Sequence, residues 1–399
     1  MKFALLVGDG MADYPLDELG GRTPIEAANT PNMDRLAREG VVGLVRTIPP
    51  GMAPGSDIAN LNVLGYDVTK YYSGRAPLEA ASRNIELAAD DVAFRCNLVT
   101  VEGGVMVDYS AGHIASEEAA DLIASIDSKL GTDSLKFYPG VSYRHLLIAH
   151  GKGATGIDRV LACTPPHDIV GQPIAGYLPR GKDERLFRKL MDDSVEALSM
   201  HAVNRKRVQS GKRPANMIWL WGQGKRPSMP PFRELYGMSG VVISAVDLIR
   251  GLGKCAGLTA VEVPGATGYF DTNYGAKASY GLEALGYGDF LFVHVEAPDE
   301  AGHIGDVAEK IRAIENFDKL VVGPVAEGIS RSERSRLMVL PDHLTPIEVR
   351  THVGDPVPFL VAGSGIPASG ASGFSEATAR KSGIMFENGH ELLPKYLRG

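Results

Sequence analysis

With 399 residues, 44% hydrophobic and 22% charged, the chain has ordinary globular composition and more length than one small core needs, which implies two domains. A formal charge of -7 argues against a nucleic-acid binder that works through bulk electrostatics. No stretch approaches the roughly 20 apolar residues that span a bilayer, and Cys96, Cys163 and Cys255 are too scattered for a disulfide framework or a thiolate zinc site. A cytoplasmic protein with reduced thiols, and with neither nucleic acid nor membrane as partner, is the expectation.

Residues 2–7 read as a buried parallel strand, because a continuous apolar run suits a sheet covered on both faces. This run is short and meets Gly8-Asp9-Gly10, unlike a signal peptide. The turn leaves Asp9 at the carboxyl end of the strand, where open α/β sheets bind ligands. Thr30 to Gly40 is signed as a helix: Thr30 can cap it, Pro31 suits its first turn and Gly40 ends it. A loop rich in Pro and Gly (49–55) then delivers Ser56 to a helix start. Ser56 is open to two readings, an N-cap or a nucleophile whose oxygen sits where helix N–H groups favour negative charge.

The texture changes near Leu87. A hairpin is predicted over 91–101 and 105–107, then Asp108-Tyr109-Ser110-Ala111-Gly112-His113 leads into a helix over 116–129. Strand-like runs follow at 141–150 and 158–162, a long helix at 182–207, and an apolar stretch ending in Trp219-Leu220-Trp221-Gly222. This mixture implies an α+β domain, 76–229, inserted into a doubly wound α/β domain formed by 1–75 and 230–399.

Alternation returns with strands at 240–244 and 259–263 and helices at 245–251 and 273–285. The strand 290–295 runs into Asp299 and His303, four apart and so on one face of a helical turn, a spacing that suits one ion. A long amphipathic helix over 306–327 precedes the strand 337–340, which ends in Asp342-His343, one oxygen and one nitrogen donor for a divalent metal. His352 follows shortly. The pattern predicts that these positions converge with Asp9 on a two-metal site.

The order Asp9, Ser56, Asp299-x-x-x-His303, Asp342-His343, His352 resembles the alkaline phosphatase superfamily, and its context resembles the archaeal-type branch of the cofactor-independent phosphoglycerate mutases. The resemblance covers nearly the whole chain. It is carried by Thr-Pro-Asn-Met-Asp-Arg-Leu-Ala (30–37), Pro-Gly-Ser-Asp (54–57), Gly-Arg-Ala-Pro-Leu-Glu-Ala (74–80), Ala-Phe-Arg-Cys-Asn (93–97), Ser-Ala-Gly-His-Ile (110–114) and His-Val-Glu-Ala-Pro-Asp-Glu-Ala-Gly-His (294–303).

The resemblance implies a mostly parallel doubly wound sheet with an inserted cap domain. It implies one ion on Asp9, Ser56, Asp342 and His343, and a second on Asp299, His303 and His352, drawn from manganese, magnesium, cobalt or zinc. Ser56 would take the phosphoryl group of 3-phosphoglycerate and return it to the 2-hydroxyl, without 2,3-bisphosphoglycerate. His113 would orient the phosphoryl group or shuttle its proton. Arg144 and Arg213, with His167, Asp168 and Lys277 as further candidates, would bind the small phosphorylated acid, since a guanidinium pairs with a carboxylate in bidentate fashion. The opening Val-Gly-Asp-Gly-Met-Ala-Asp-Tyr-Pro (7–15) also resembles a sub-branch with a proposed homoserine kinase role, a phosphotransferase alternative. No Walker-type phosphate loop accompanies it.

Overall fold

The computed structural model describes residues 1–151 and 161–397. The chain divides by internal packing into two units, Met1–Tyr72 with Ser228–Gly399, and Ser73–Pro227.

In the first unit, apolar runs that would be unstable as exposed strands become the middle of an eight-stranded sheet. Its order is Thr259–Val261, Gly240–Ile243, Phe290–Val295, Lys2–Gly8, Ser335–Leu340, Val357–Gly363, Val41–Val45 and Met385–Phe386. All neighbours run parallel except Val357–Gly363, which opposes both of its partners. Lys2–Gly8 lies at the centre, with Val7 opposite His294 on one side and Leu340 on the other. Three adjacent strands therefore end side by side at Asp9, Glu296 and Asp342, the arrangement that gathers a site at the carboxyl edge of a parallel sheet.

Several helices differ from their sequence expectations, each for a local physical reason. The helix Pro31–Glu39 has Thr30 at its N-cap position, but the Thr30 side chain makes no capping bond. Asp318 takes that place from a distant helix, accepting from the N–H groups of Asn32 (3.2 Å) and Met33 (2.7 Å). The helix expected over 306–327 is Val307–Phe317, a π-helical turn at Asp318–Val322, then Gly323–Ser330. The π turn sits where Asp318 reaches across to cap its neighbour.

The second unit is an antiparallel sheet with helices. Val92–Glu102 is its central strand, pairing with Val105–Asp108 and Arg144–Ala149 on one edge and with Met217–Gly224 on the other, so that Arg95, Cys96 and Asn97 have a partner on both sides; Leu135–Tyr138 flanks Arg144–Ala149. The helices Ser116–Leu130 and Glu184–Ser199 contribute Leu122, Ile126, Phe187 and Leu198 to a core shared with Phe94, Leu147 and Trp219. The single helix expected over 182–207 is two, Glu184–Ser199 and Ala202–Gln209, with His201 capping the second through Val203 N–H. Of the strand expected at 158–162, residues 158–160 lie outside the described residues, and Leu161–Ala162 is a short strand. No helix among the described residues is long and apolar enough to cross a membrane.

Candidate active site

Ser56 opens the helix Ser56–Val63, whose N-cap is Gly55 rather than Ser56 itself. Its hydroxyl is thus not spent on capping, and Oγ lies 3.1 Å from His343 Nε2. Asn60, one helical turn on and fully buried, donates from Nδ2 to Ser56 O (2.9 Å) and to Asp342 Oδ2 (2.7 Å). The other Asp342 oxygen accepts from His343 N–H (2.9 Å) and Gly10 N–H (3.2 Å). Asp9 completes the group, with Oδ1 3.3 Å from His343 Nε2 and Oδ2 3.1 Å from His294 Nε2.

A second group adjoins it. Asp299 Oδ2 lies 3.1 Å from His303 Nε2, and Asp299 Oδ1 lies 3.5 Å from His352 Nε2. His303 Nε2 and His352 Nε2 face each other across 3.1 Å, and the rings of His343 and His352 lie 4.1 Å apart between centres, tilted by 36°. Thr345 links the groups, donating its hydroxyl to Asp299 Oδ1 and standing 3.2 Å from His343 Nδ1. Gly10, at φ +59°, is required here: a Cβ would fall 2.5 Å from both Asp299 Oδ1 and Thr345 Oγ1.

The electrostatics are those of a cation site. Burial, then the charges of Asp342, Asp299 and Glu296, hold the Asp9 carboxyl well above its ordinary range. Burial also opposes ionisation of Asp299, but hydrogen bonds from His303 and His352 outweigh it and pull that carboxyl well below its ordinary value. Burial alone would lower His303, yet Asp299 raises it to about 9. Lys277 is 1% exposed and donates to the carbonyls of His294 (3.3 Å) and Thr267 (3.5 Å); burial lowers it to about 8.

The residues fit divalent metals on two counts. Buried Asp9 Oδ1 forms no hydrogen bond although His343 Nε2 approaches it to 3.3 Å, and neither ring nitrogen of His294 forms one although Nε2 lies 3.1 Å from Asp9 Oδ2, a cost of roughly 1–3 kcal/mol for each such group unless something else satisfies it. The donors also cluster: in each of the sets Asp9–Asp342–His343 and Asp299–His343–His352, ligand atoms lie within 4.8 Å of one another. Mixed carboxylate and imidazole donors suit borderline ions such as manganese, cobalt or zinc.

A buried brace backs this arrangement. Lys310 Nζ donates to Asp13 Oδ2 (2.7 Å) and to the carbonyls of Thr345 (2.8 Å) and Ala12 (3.3 Å), tying the loop after Asp9 to the loop after His343. Asp13 N–H in turn donates to Glu376, which also accepts from Thr23 Oγ1. Burial raises Glu376 from 4.5 to about 7. A folded-state value above the unfolded one means that this stabilisation is fully present below about pH 4.5 and is lost as the pH rises through about 7. Glu376→Gln is therefore expected to flatten the decline in denaturant midpoint across that window. An unchanged slope would contradict the assignment.

In the second unit, His113 is exposed at the end of a left-handed turn, with φ of 50° at Ala111, 66° at Gly112 and 49° at His113. For residues with a Cβ this costs about 1–2 kcal/mol each. His113 meets Tyr143 edge-on (6.2 Å between ring centres), Tyr143 meets Tyr109 (5.5 Å), and Tyr109 meets His167 (6.1 Å). His167 packs on Trp221 (5.3 Å), which carries Arg95 on its face (4.1 Å). The Arg144 guanidinium lies 5.6 Å from the Tyr143 ring, so Arg144, His113 and His167 share one aromatic-lined surface. Asp168 pairs with His167 at 3.5 Å. Arg213 pairs with Asp108 at 2.7 Å.

Sequence reasoning missed Asn60, Thr345, His294 and Glu296. Asn60 was findable, since i+4 from Ser56 shares its helix face, and so were His294 and Glu296, which alternate onto one face of a strand end. Thr345 gave no signal.

A family model described as 2,3-bisphosphoglycerate-independent phosphoglycerate mutase matches residues 37–204. A protein of that name from Methanothrix thermoacetophila is 53% identical over 400 residues, covering 100% of both chains. The chain belongs to the 2,3-bisphosphoglycerate-independent phosphoglycerate mutase family. Another protein of that name, from Methanosarcina acetivorans, is 56% identical over 90% of each chain. A solved cofactor-independent phosphoglycerate mutase from Thermoplasma acidophilum superposes with a TM-score of 0.68 at 27% identity, covering 100% of both chains. The names of these relatives side with the mutase over the homoserine kinase-like alternative.

Proposed function

We infer that this isomerase of the phosphoglycerate mutase family interconverts 3-phosphoglycerate and 2-phosphoglycerate through a phosphoserine at Ser56, without 2,3-bisphosphoglycerate. The observation that carries the reading is the Ser56 hydroxyl, free of capping duty and 3.1 Å from His343 inside the donor cluster. Asp9, Asp342 and His343 with Ser56 would hold one divalent ion, and Asp299, His303 and His352 a second. When bound, such ions supply positive charge against the phosphoryl oxygens and favour the deprotonated serine.

Ser56 Oγ attacks phosphorus and loses its proton while the bond to the C3 oxygen breaks, and that oxygen leaves with the proton Ser56 gave up. The glycerate turns, its 2-hydroxyl gives up a proton as it takes the phosphoryl group from Ser56, and the net change is an isomerisation. The N–H groups of the helix that Ser56 opens favour the phosphoryl charge. His113 is assigned the orientation of the phosphoryl group and the movement of its proton. Arg144 and Arg213 are assigned the carboxylate, with His167, Asp168 and Lys277 supporting substrate binding. A cytoplasmic location is part of the same proposal.

The direct test incubates metal-loaded protein with 3-phosphoglycerate alone and follows 2-phosphoglycerate. Its formation supports the reading, and a strict requirement for added 2,3-bisphosphoglycerate would refute it. Arg144→Ala is expected to raise KM about 10- to 100-fold, the worth of a hydrogen bond to a charged group. An unchanged KM would remove Arg144 from the carboxylate site.

A further inference from the structure

Three consecutive positive φ values, two of them at residues with a Cβ, do not persist unless their surroundings impose them. Two side chains impose them here. One oxygen of Asp108 accepts from Ser110 N–H (2.8 Å) and Ser110 Oγ (2.7 Å), and the other from Gly112 N–H (3.0 Å) and Arg213 Nη1 (2.7 Å). Arg207, 3% exposed, commits all three nitrogens: Nη2 to Ala111 O (2.6 Å), Nε to Arg213 O (2.9 Å) and Nη1 to Glu118 Oε2 (2.5 Å). This buried guanidinium spends three of its five N–H donors on the turn and on the helix behind it, one from each nitrogen.

We propose that Asp108 and Arg207 are positioning residues that hold the Ala111–His113 turn in its left-handed form and so aim the His113 imidazole. This rests on the reading of His113 as a substrate-facing group. Without them the turn relaxes toward negative φ and swings the Cα–Cβ bond of His113. A misplacement of about 1 Å costs roughly 100-fold in rate.

The test is a double-mutant cycle on kcat with Asp108→Asn and His113→Ala. Asp108→Asn keeps the side-chain shape but loses the charge on Arg213 and one strong acceptor. It is expected to lower kcat roughly 10- to 100-fold in the parent, and by less than about twofold once His113 is already alanine, because coupled residues are not additive; the loss carried through Arg213 appears in KM and is the same in both backgrounds. Arg207→Lys, which keeps a donor for Ala111 O, is expected to recover part of the kcat lost in Arg207→Met. Equal falls with and without His113 would overturn the positioning role alone. Full kcat in His113→Ala would overturn it together with the reading of His113.

Discussion

Ser56→Ala is expected to lower turnover by at least about 10⁴-fold, the scale seen when a covalent nucleophile is removed. The fold should tolerate the change. Gly55, not Ser56, caps the helix, and the hydroxyl's side-chain hydrogen bond is to His343 Nε2. The loss in stability should then stay near or below about 1 kcal/mol, the net worth of an ordinary hydrogen bond. Loss of activity in a well-folded variant would separate chemistry from structure. Turnover within tenfold of the parent would remove Ser56 as the phosphoryl carrier, and a collapse in melting temperature would point to a structural role instead.

Removal of divalent ions should have an effect of the same order on activity. Asp9, Asp299 and Asp342 are 1%, 4% and 0% exposed, and Asp9 has an oxygen within 4.8 Å of one on each of the other two. Three buried carboxylates this close cannot all ionise without compensation, and the raised Asp9 carboxyl records the conflict. Chelation with EDTA is therefore expected to abolish interconversion, and manganese or cobalt to restore it. Stability should follow, because an ion that binds only the folded state at 100 times its Kd adds about 2.7 kcal/mol. Asp299→Asn should weaken the response to added ion most severely, since Asp299 contacts His303, His352 and Thr345 together. Full activity after exhaustive chelation, with no shift in melting temperature, would remove the ions from the account.

Much of the first unit was legible because its strands are buried on both faces. The apolar runs before Asp9, Glu296 and Asp342 read as parallel strands, and strand ends in such sheets meet at one edge. Local signals failed where a distant residue did the local work. Thr30 looks like a cap, yet Asp318 caps that helix from far along the chain. The helix expected over 182–207 breaks at His201, because the His201 side chain starts a new helix. The brace of Lys310, Asp13 and Glu376 joins three remote segments, and no local spacing encodes such a contact. In the second unit, Arg213 is bound to Asp108 and the left-handed turn at His113 rests on Arg207. Both depend on tertiary contacts that the local sequence does not specify.

The most direct measurement is the fate of the phosphoryl group. Metal-loaded protein is mixed with 3-phosphoglycerate labelled in its phosphate, quenched during turnover, digested and mapped. The account predicts label on the peptide carrying Ser56, chased into 2-phosphoglycerate when turnover resumes and absent from Ser56→Ala. Label on any other residue, or labelled 2-phosphoglycerate formed at the parent rate by Ser56→Ala, would contradict it.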